Sequence, residues 1–275
     1  MPELPEVETI RRQLQKEIVG ATIRGVIVNF RKRLNVSSEK FRTMLKGKKI
    51  LAVGRRAKLL VFELSNGLRM LGHLKMTGRF LIVKKGTSPN KHTHIQFILS
   101  GKNDLYFEDY RKFGFLKLMD DAGLQKELAA QNYGPEPLTA AFSFKKFVEC
   151  IRGRGRKKIK QVLMEQTCIA GIGNIYADEI CFAAGVHPER PANRLSAAEL
   201  KIMFTAAKKI LTAAIKNRGT SADAYLDAHG QQGTYVPFLK VYDRDGEKCR
   251  RNDGGIIKKI RVGGRGTHFC PKCQK

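Results

Sequence analysis

The chain is short of acid. Its 275 residues carry 25 Asp plus Glu against 52 Lys plus Arg, a formal charge of +27. That imbalance points to a polyanionic partner, of which nucleic acid is the commonest; a ribosomal or nucleoid structural protein would share the excess. No apolar run approaches the ~18–20 residues that span a bilayer, and the N-terminus lacks the basic-then-apolar pattern of a signal peptide. Both absences point to the cytosol. The six cysteines are too few and too scattered for a disulfide framework, and a cytosolic compartment keeps thiols reduced. Cys150, Cys168 and Cys181 fall in apolar helical stretches and read as core thiols, whereas Cys249, Cys270 and Cys273 gather near the C-terminus. No internal repeat is present.

What the chain does have is a core. At 42% hydrophobic residues it is globular, and its length suits one to three domains. Val7, Ile10, Leu14 and Ile18 recur at helical spacing until Gly20. From Gly20 to about Asp120 the period becomes two, predicting strands at Thr22–Phe30, Lys49–Arg55, Leu59–Leu64, Leu68–Leu74, Arg79–Lys84, Thr93–Leu99, Leu105–Phe107 and Phe113–Leu118. Ser65-Asn66-Gly67 marks a hairpin, and the many short strands predict a β-sandwich with the first helix packed on it. After Gly134-Pro135-Glu136-Pro137 the pattern is helical. Ser143 caps one helix, Lys157–Glu165 forms another, a third opens on Asn174 as N-cap and closes at Gly185, and Ser196 with Glu199 forms a capping box for a long one.

Three stretches carry chemistry. Pro2-Glu3-Leu4-Pro5-Glu6 is a well-formed helix start, but with Met1 removed it also presents a secondary amine beside a carboxylate. An α-amino group titrates at about 7.7–8.0, so a useful fraction is neutral without deep burial, and a secondary amine that attacks an electrophilic carbon can collapse to an iminium. Thr167 to Asn174 joins two helices through a glycine-spaced turn that suits a phosphate, with the basic run Arg152 to Lys158 upstream. An ordinary packing corner and a solvated surface are the plain alternatives. Cys270-Pro271-Lys272-Cys273 is half of a zinc ribbon whose other half begins at Cys249. Asn252 stands where a fourth cysteine is wanted, leaving Asp253, His268 or water to complete the site, or a hairpin that folds by packing alone.

These motifs resemble, in order and over the whole chain, the formamidopyrimidine-DNA glycosylase/endonuclease VIII family. The match is carried by Pro2 to Glu6, Arg55-Arg56-Ala57-Lys58, His73 to Gly78, Arg111-Lys112-Phe113-Gly114, Gly134 to Leu138, Gly173-Asn174-Ile175-Tyr176 and the terminal hairpin. The start, with Met76, Arg111 and Phe113, looks like the formamidopyrimidine branch. The resemblance implies an α+β protein with an N-terminal catalytic β-sandwich over 1–133, a helix–two-turns–helix DNA-binding domain over 134–235 and a zinc-finger-like hairpin over 236–275. It implies a monomeric bacterial enzyme of the cytosol and nucleoid, with one Zn2+ per chain. Its partner is double-stranded DNA containing oxidised bases or abasic sites.

The implied activity is excision of oxidised purines, 8-oxoguanine and formamidopyrimidines, followed by β,δ-elimination. Pro2 is then the Schiff-base nucleophile, Glu3 the acid/base partner, and Lys58 and Arg265 phosphate-binding cations that assist elimination. Met76, Arg111 and Phe113 fill the void left by the everted nucleotide. Glu6, His92, Arg156, Lys160 and Asn174 are further DNA-binding positions, and the loop from Gly219 to Tyr235 encloses the lesion. Cys249, Cys270 and Cys273 hold the metal. Tyr110 departs from the pattern, standing where a proline is expected before Arg111. A catalytically silent binder on the same scaffold, or an oxidised-pyrimidine enzyme of the endonuclease VIII branch, is the alternative.

Overall fold

In the computed structural model, which describes residues 1–222 and 224–275, the apolar stripe of the first helix is buried where its spacing put it. Val7, Ile10, Leu14 and Ile18 of α1 (Leu4–Ile18) are all buried in one core. The chain divides into two compact units, Met1–Gln131 with Asn217–Thr234, and Asn132–Lys216 with Tyr235–Lys275.

The first unit is built on two four-stranded antiparallel sheets. One places β1 (Ile23–Val28), β6 (Thr93–Leu99), β7 (Asn103–Asp109) and β5 (Gly78–Lys84) side by side in that order; the other runs β2 (Ile50–Arg56), β3 (Leu59–Leu64), β4 (Arg69–His73) and β8 (Phe115–Met119). Alternate inward residues make the core, with Phe80 packed on Phe62 at 5.2 Å and on Phe107 at 5.1 Å between ring centroids. Asn66 and Gly67 both take the left-handed backbone that a tight hairpin between twisted strands requires.

Two helices interrupt the β pattern and correct the sequence reading. α2 (Ser38–Leu45) lies inside the stretch assigned to strands, and α3 (Asp121–Gln131) follows β8 directly. The signal for α2 was present: Ser37 accepts a hydrogen bond from the Lys40 backbone as N-cap, and Phe41 and Leu45 share a buried face at i,i+4. α3 buries only Leu124, so it has no apolar stripe to find.

In the second unit α4 (Phe144–Arg152), α5 (Ile159–Met164), α6 (Asn174–Ala184) and α7 (Ala197–Lys216) surround a separate core that includes Phe147, Tyr176 and Leu211. Ser143 caps α4, Gly185 closes α6 in left-handed backbone, and Ser196 and Glu199 exchange both capping-box bonds. The N-cap of α6 is Gly173, one residue before Asn174, so Asn174 occupies the first helical turn. β9 (Lys258–Val262) and β10 (Arg265–Phe269) form the terminal hairpin. Cys150 and Cys168, expected as reduced thiols, are joined: the end of α4 and the turn after α5 bring their Cα atoms to 5.6 Å, within disulfide reach. Among the described residues no helix is long and apolar enough to cross a membrane.

Candidate functional site

The N-terminus is held by a reciprocal cap. The Glu3 side chain accepts from the backbone of Glu6, while the Glu6 carboxylate accepts from the Glu3 backbone at 2.8 Å. Pro2 and Glu3 are both buried. Six residues on, Glu8 pairs with Arg55 at 3.0 Å, which sets the first turns of α1 beside the β2–β3 hairpin whose tip is Ala57-Lys58. Burial opposes charge on Glu8, but hydrogen bonds from Arg11, Arg12 and Arg55 outweigh it and hold the carboxyl at about 2. Lys58 is 6% exposed. Burial, then the charges of Lys75 and Lys58, push the His73 imidazole down to about 3, so it is neutral and accepts from the Lys75 backbone at 2.8 Å.

Glu6 corrects an expectation. Rather than offering itself to a ligand at the surface, its carboxylate is buried and accepts on its second oxygen from the Thr220 backbone at 2.8 Å. Gly219 beside it has a φ of +87°, and a Cβ there would sit 2.9 Å from Glu6 Cγ, so glycine is required. The rest of this loop lies on α1. Asp227, fully buried, accepts from Gln13 at 2.9 Å and from the backbones of His229 and Gln231, and Tyr225 donates its hydroxyl to the Arg218 carbonyl at 3.1 Å. The stretch Gly219–Tyr235 includes Asp223, which lies outside the described residues.

Met76, Arg111 and Phe113 come together at the surface of the same unit. Arg111 approaches Met76 Sδ at 3.0 Å and lies over the Phe113 ring at 5.0 Å, with Met76 40% and Phe113 42% exposed. Asp109 fastens the two turns that carry them. Its Oδ1 accepts from Thr77 Oγ1 at 2.5 Å and from the Arg111 backbone at 3.2 Å, and its Oδ2 accepts from the Gly114 backbone at 2.7 Å. His92 stacks on Tyr110, the residue before Arg111, with ring centroids 4.0 Å apart.

In the second unit Arg265 is exposed at the start of β10, after the tight turn of Gly263 and Gly264. Lys160 beneath it does not fit a direct DNA contact. Its side chain is 0% exposed and its ammonium is engaged by Asp178 at 2.7 Å, by the Gly266 carbonyl at 3.0 Å and by Thr267 Oγ1 at 2.7 Å. Thr267 in turn donates to the Arg265 carbonyl at 3.0 Å, so the buried lysine fixes the backbone that presents the exposed arginine. Arg156 is exposed, but the basic run around it is partly neutralised: Arg154 pairs with Glu165 at 2.6 Å, Lys157 also pairs with Glu165, and Lys158 pairs with Glu189 at 2.5 Å. In the glycine turn the Gly171 N–H is taken by Gln166 at 2.8 Å, whereas Asn174 Oδ1 has no hydrogen-bond partner among the described residues.

The cysteine cluster suits a tetrahedral metal. Ligand atoms of Cys249, Asp253, Cys270 and Cys273 all lie within 4.8 Å of one another, with Cys249 Sγ 3.9 Å from Cys273 Sγ and Cys270 Sγ 3.5 Å from Asp253 Oδ2. Thiolates about 2.3 Å from a tetrahedral zinc stand at nearly that separation. Gly255 donates to Asp253 Oδ1 at 2.7 Å, orienting the carboxylate as a ligand's outer partner does. His268 does not join this cluster: its imidazole is buried against Asp178, 3.4 Å from Nδ1, and Tyr242.

The sequence reading missed the residues that hold these groups in place, Asp109, Asp178 and Asp227. Each is a buried acid whose partners come from distant parts of its own unit or from a turn, and nothing local in the sequence sets it apart from an exposed one.

Comparison with known proteins matches three families in order: the formamidopyrimidine-DNA glycosylase N-terminal domain over residues 1–116, the formamidopyrimidine-DNA glycosylase H2TH domain over 133–225, and a zinc finger found in FPG and IleRS over 246–275. The formamidopyrimidine-DNA glycosylase of Listeria innocua is 44% identical and that of Lactiplantibacillus plantarum 40%, each aligned over 100% of both chains. A solved complex of Lactococcus lactis Fpg with DNA containing an abasic site is 39% identical, with a TM-score of 0.93 over 99% of both chains. A Lactococcus lactis FPG mutant with Fapy-dG containing DNA is 38% identical, with a TM-score of 0.94 over 100% of both.

Removing the Lys160 ammonium strands Asp178 in a dry interior. Lys160→Met is expected to lower stability by about 3–5 kcal/mol, and Lys160→Met with Asp178→Leu to regain much of it, because a buried pair is costly to break but cheap to replace. Urea unfolding of both variants checks this; equal losses in the two would contradict it.

Proposed function

Because this chain belongs to the formamidopyrimidine-DNA glycosylase family, we propose that it is a base-excision repair enzyme that removes oxidised purines from duplex DNA and nicks the strand as a lyase. The observation that carries the reading is the reciprocal cap, which holds buried Pro2 directly ahead of a carboxylate and an ordered helix. In this reading residues 1–133 supply the chemistry, 134–235 the main DNA grip, with its 217–234 stretch packed in the first unit, and 236–275 the hairpin that bears Arg265. The cytosol and nucleoid are the place of work.

The chemistry follows from the groups. With Met1 removed, the neutral nitrogen of Pro2 bonds to C1′ of the everted nucleotide as the glycosidic bond breaks, and the base leaves with the electron pair and takes up a proton. Glu3 serves the proton transfers that open the sugar ring and leave an iminium, its adjacency giving the reach that acid–base catalysis needs. Loss of the C2′ proton then expels the 3′ phosphate, and a second elimination expels the 5′ phosphate. Lys58 steadies phosphate near this centre. Arg265 clamps phosphate as well; a guanidinium stays charged, so it holds anions rather than donating protons.

Everting a nucleotide costs a few kcal/mol and leaves a hole in the stack. Met76 and Phe113, already exposed and braced by Asp109, suit an apolar plug and a wedge, and Arg111 suits the orphaned cytosine. His92, Arg156 and Asn174 supply sequence-independent contacts. Glu6 acts through Thr220, setting the loop that closes over the lesion, and Lys160 acts through the hairpin.

Cys249, Cys270, Cys273 and Asp253 would hold the zinc. The ion supplies folding energy to the hairpin rather than chemistry at the sugar.

Two outcomes are expected. A duplex carrying 8-oxoguanine opposite cytosine should be cut to a one-nucleotide gap with phosphate at both ends, and Glu3→Gln, which keeps a capping oxygen, should slow base release about 10²–10⁴-fold; wild-type protein that releases no base would refute the enzymatic reading. With cobalt as a probe for zinc, the wild type should show thiolate-to-cobalt absorption that Asp253→Cys intensifies. Asp253→Ala should loosen the ion against a chelator on the order of 10–100-fold, the loss that even an outer partner causes. An unchanged affinity would remove Asp253 from the ligand set.

A further inference from the structure

Tyr110 stands between the fastening Asp109 and the exposed Arg111, and its ring is 47% exposed. It does not pack into the core. Instead it stacks on the His92 imidazole, with centroids 4.0 Å apart and planes 29° from parallel, and the guanidinium carbon of Arg79 lies 4.6 Å from its ring centre. The hydroxyls of Tyr106 and Tyr225 each donate to a backbone carbonyl. That of Tyr110 has no hydrogen-bond partner among the described residues.

A half-exposed tyrosine gains little from burial, yet this one is firmly placed. The backbone on its N-terminal side is held by Asp109 and by His94, whose Nε2 is 2.7 Å from the Asp109 carbonyl. On its C-terminal side the Arg111 backbone is bonded to Thr77 at 2.9 Å. The side chain is fixed by two ring contacts, so its hydroxyl is presented with little rotational freedom left to lose on binding. The basic residues beside it, His92 stacked on its ring and Arg111 next in the chain, with buried Arg79 behind the ring, suit an anion and not a hydrophobic partner.

We propose that Tyr110 and His92 form one stacked clamp on the DNA backbone beside the void-filling trio, in which the Tyr110 hydroxyl donates to a phosphate oxygen. The inference rests on the function proposed above and adds a contact to it. Tyrosine is among the side chains that place duplex DNA through its phosphates, and such contacts carry no base information. Tyr110→Phe keeps the stack and the fold while deleting the donor.

The test is fluorescence anisotropy of wild type and Tyr110→Phe on two duplexes, one with a tetrahydrofuran abasic analogue and one undamaged, with thermal unfolding as the check on folding. The expected result is about a tenfold loss of affinity, by the same factor on both duplexes, with an unchanged melting curve. Affinity within twofold of wild type would overturn the clamp. So would a loss confined to the abasic duplex, which would make Tyr110 part of the wedge instead. Wild type that fails to favour the abasic duplex would sink the proposed function itself and is read separately from the variant.

Discussion

One carboxylate, that of Glu6, joins the beginning of the chain to the loop 214 residues later. One of its oxygens closes the cap on Glu3 and the other takes the Thr220 N–H. Losing it would leave two buried donors without their acceptor, at about 1–3 kcal/mol each. More important than the energy is the geometry. The backbone beside the proposed nucleophile and the backbone of the loop at Thr220 are thus bonded to a single group. Gly219 follows from this, since any side chain at that position would press on Glu6.

The same device, a buried acid that collects backbone or cationic donors, recurs elsewhere in the protein. Asp109 braces the turns of Met76 and Arg111, Asp178 with Lys160 braces the hairpin of Arg265, and Glu179 accepts from the backbones of Lys240, Val241 and Tyr242. Some of the scarce acids lie inside, Asp109, Asp178, Glu179 and Asp227 among them, each accepting from backbone or cationic donors, whereas others, such as Glu17, Glu39 and Asp121, face outward. An outward acid would repel phosphate, whereas an inward one with its donors met stabilises local structure.

Much of this could be read in the sequence where a repeated pattern carried it. The strands Leu59–Leu64 and Thr93–Leu99, the stripe of α1, the Asn66-Gly67 turn and the caps at Ser143 and Ser196 all follow local rules. α2 was hidden by its brevity among strands, and α3 by its lack of an apolar face. Residue roles were harder to read than elements. Lys160 looks like a surface cation until burial places it against Asp178, and the pairing of Cys150 with Cys168 depends on two segments that only the fold brings together. Asp253 was one of several ways to complete the cysteine set, and geometry separates it from His268.

The enzymatic reading depends on the nitrogen of Pro2, freed of the initiator, being the atom that joins the sugar. Borohydride reduction during turnover on lesion duplex, followed by intact-mass measurement and peptide mapping, tests it most directly. The expected result is a stable protein–DNA adduct on the N-terminal peptide, with the chain lighter by one methionine before reaction. An adduct mapped to a lysine elsewhere, or a chain that retains Met1 and yet cuts lesion DNA at full rate, would contradict it.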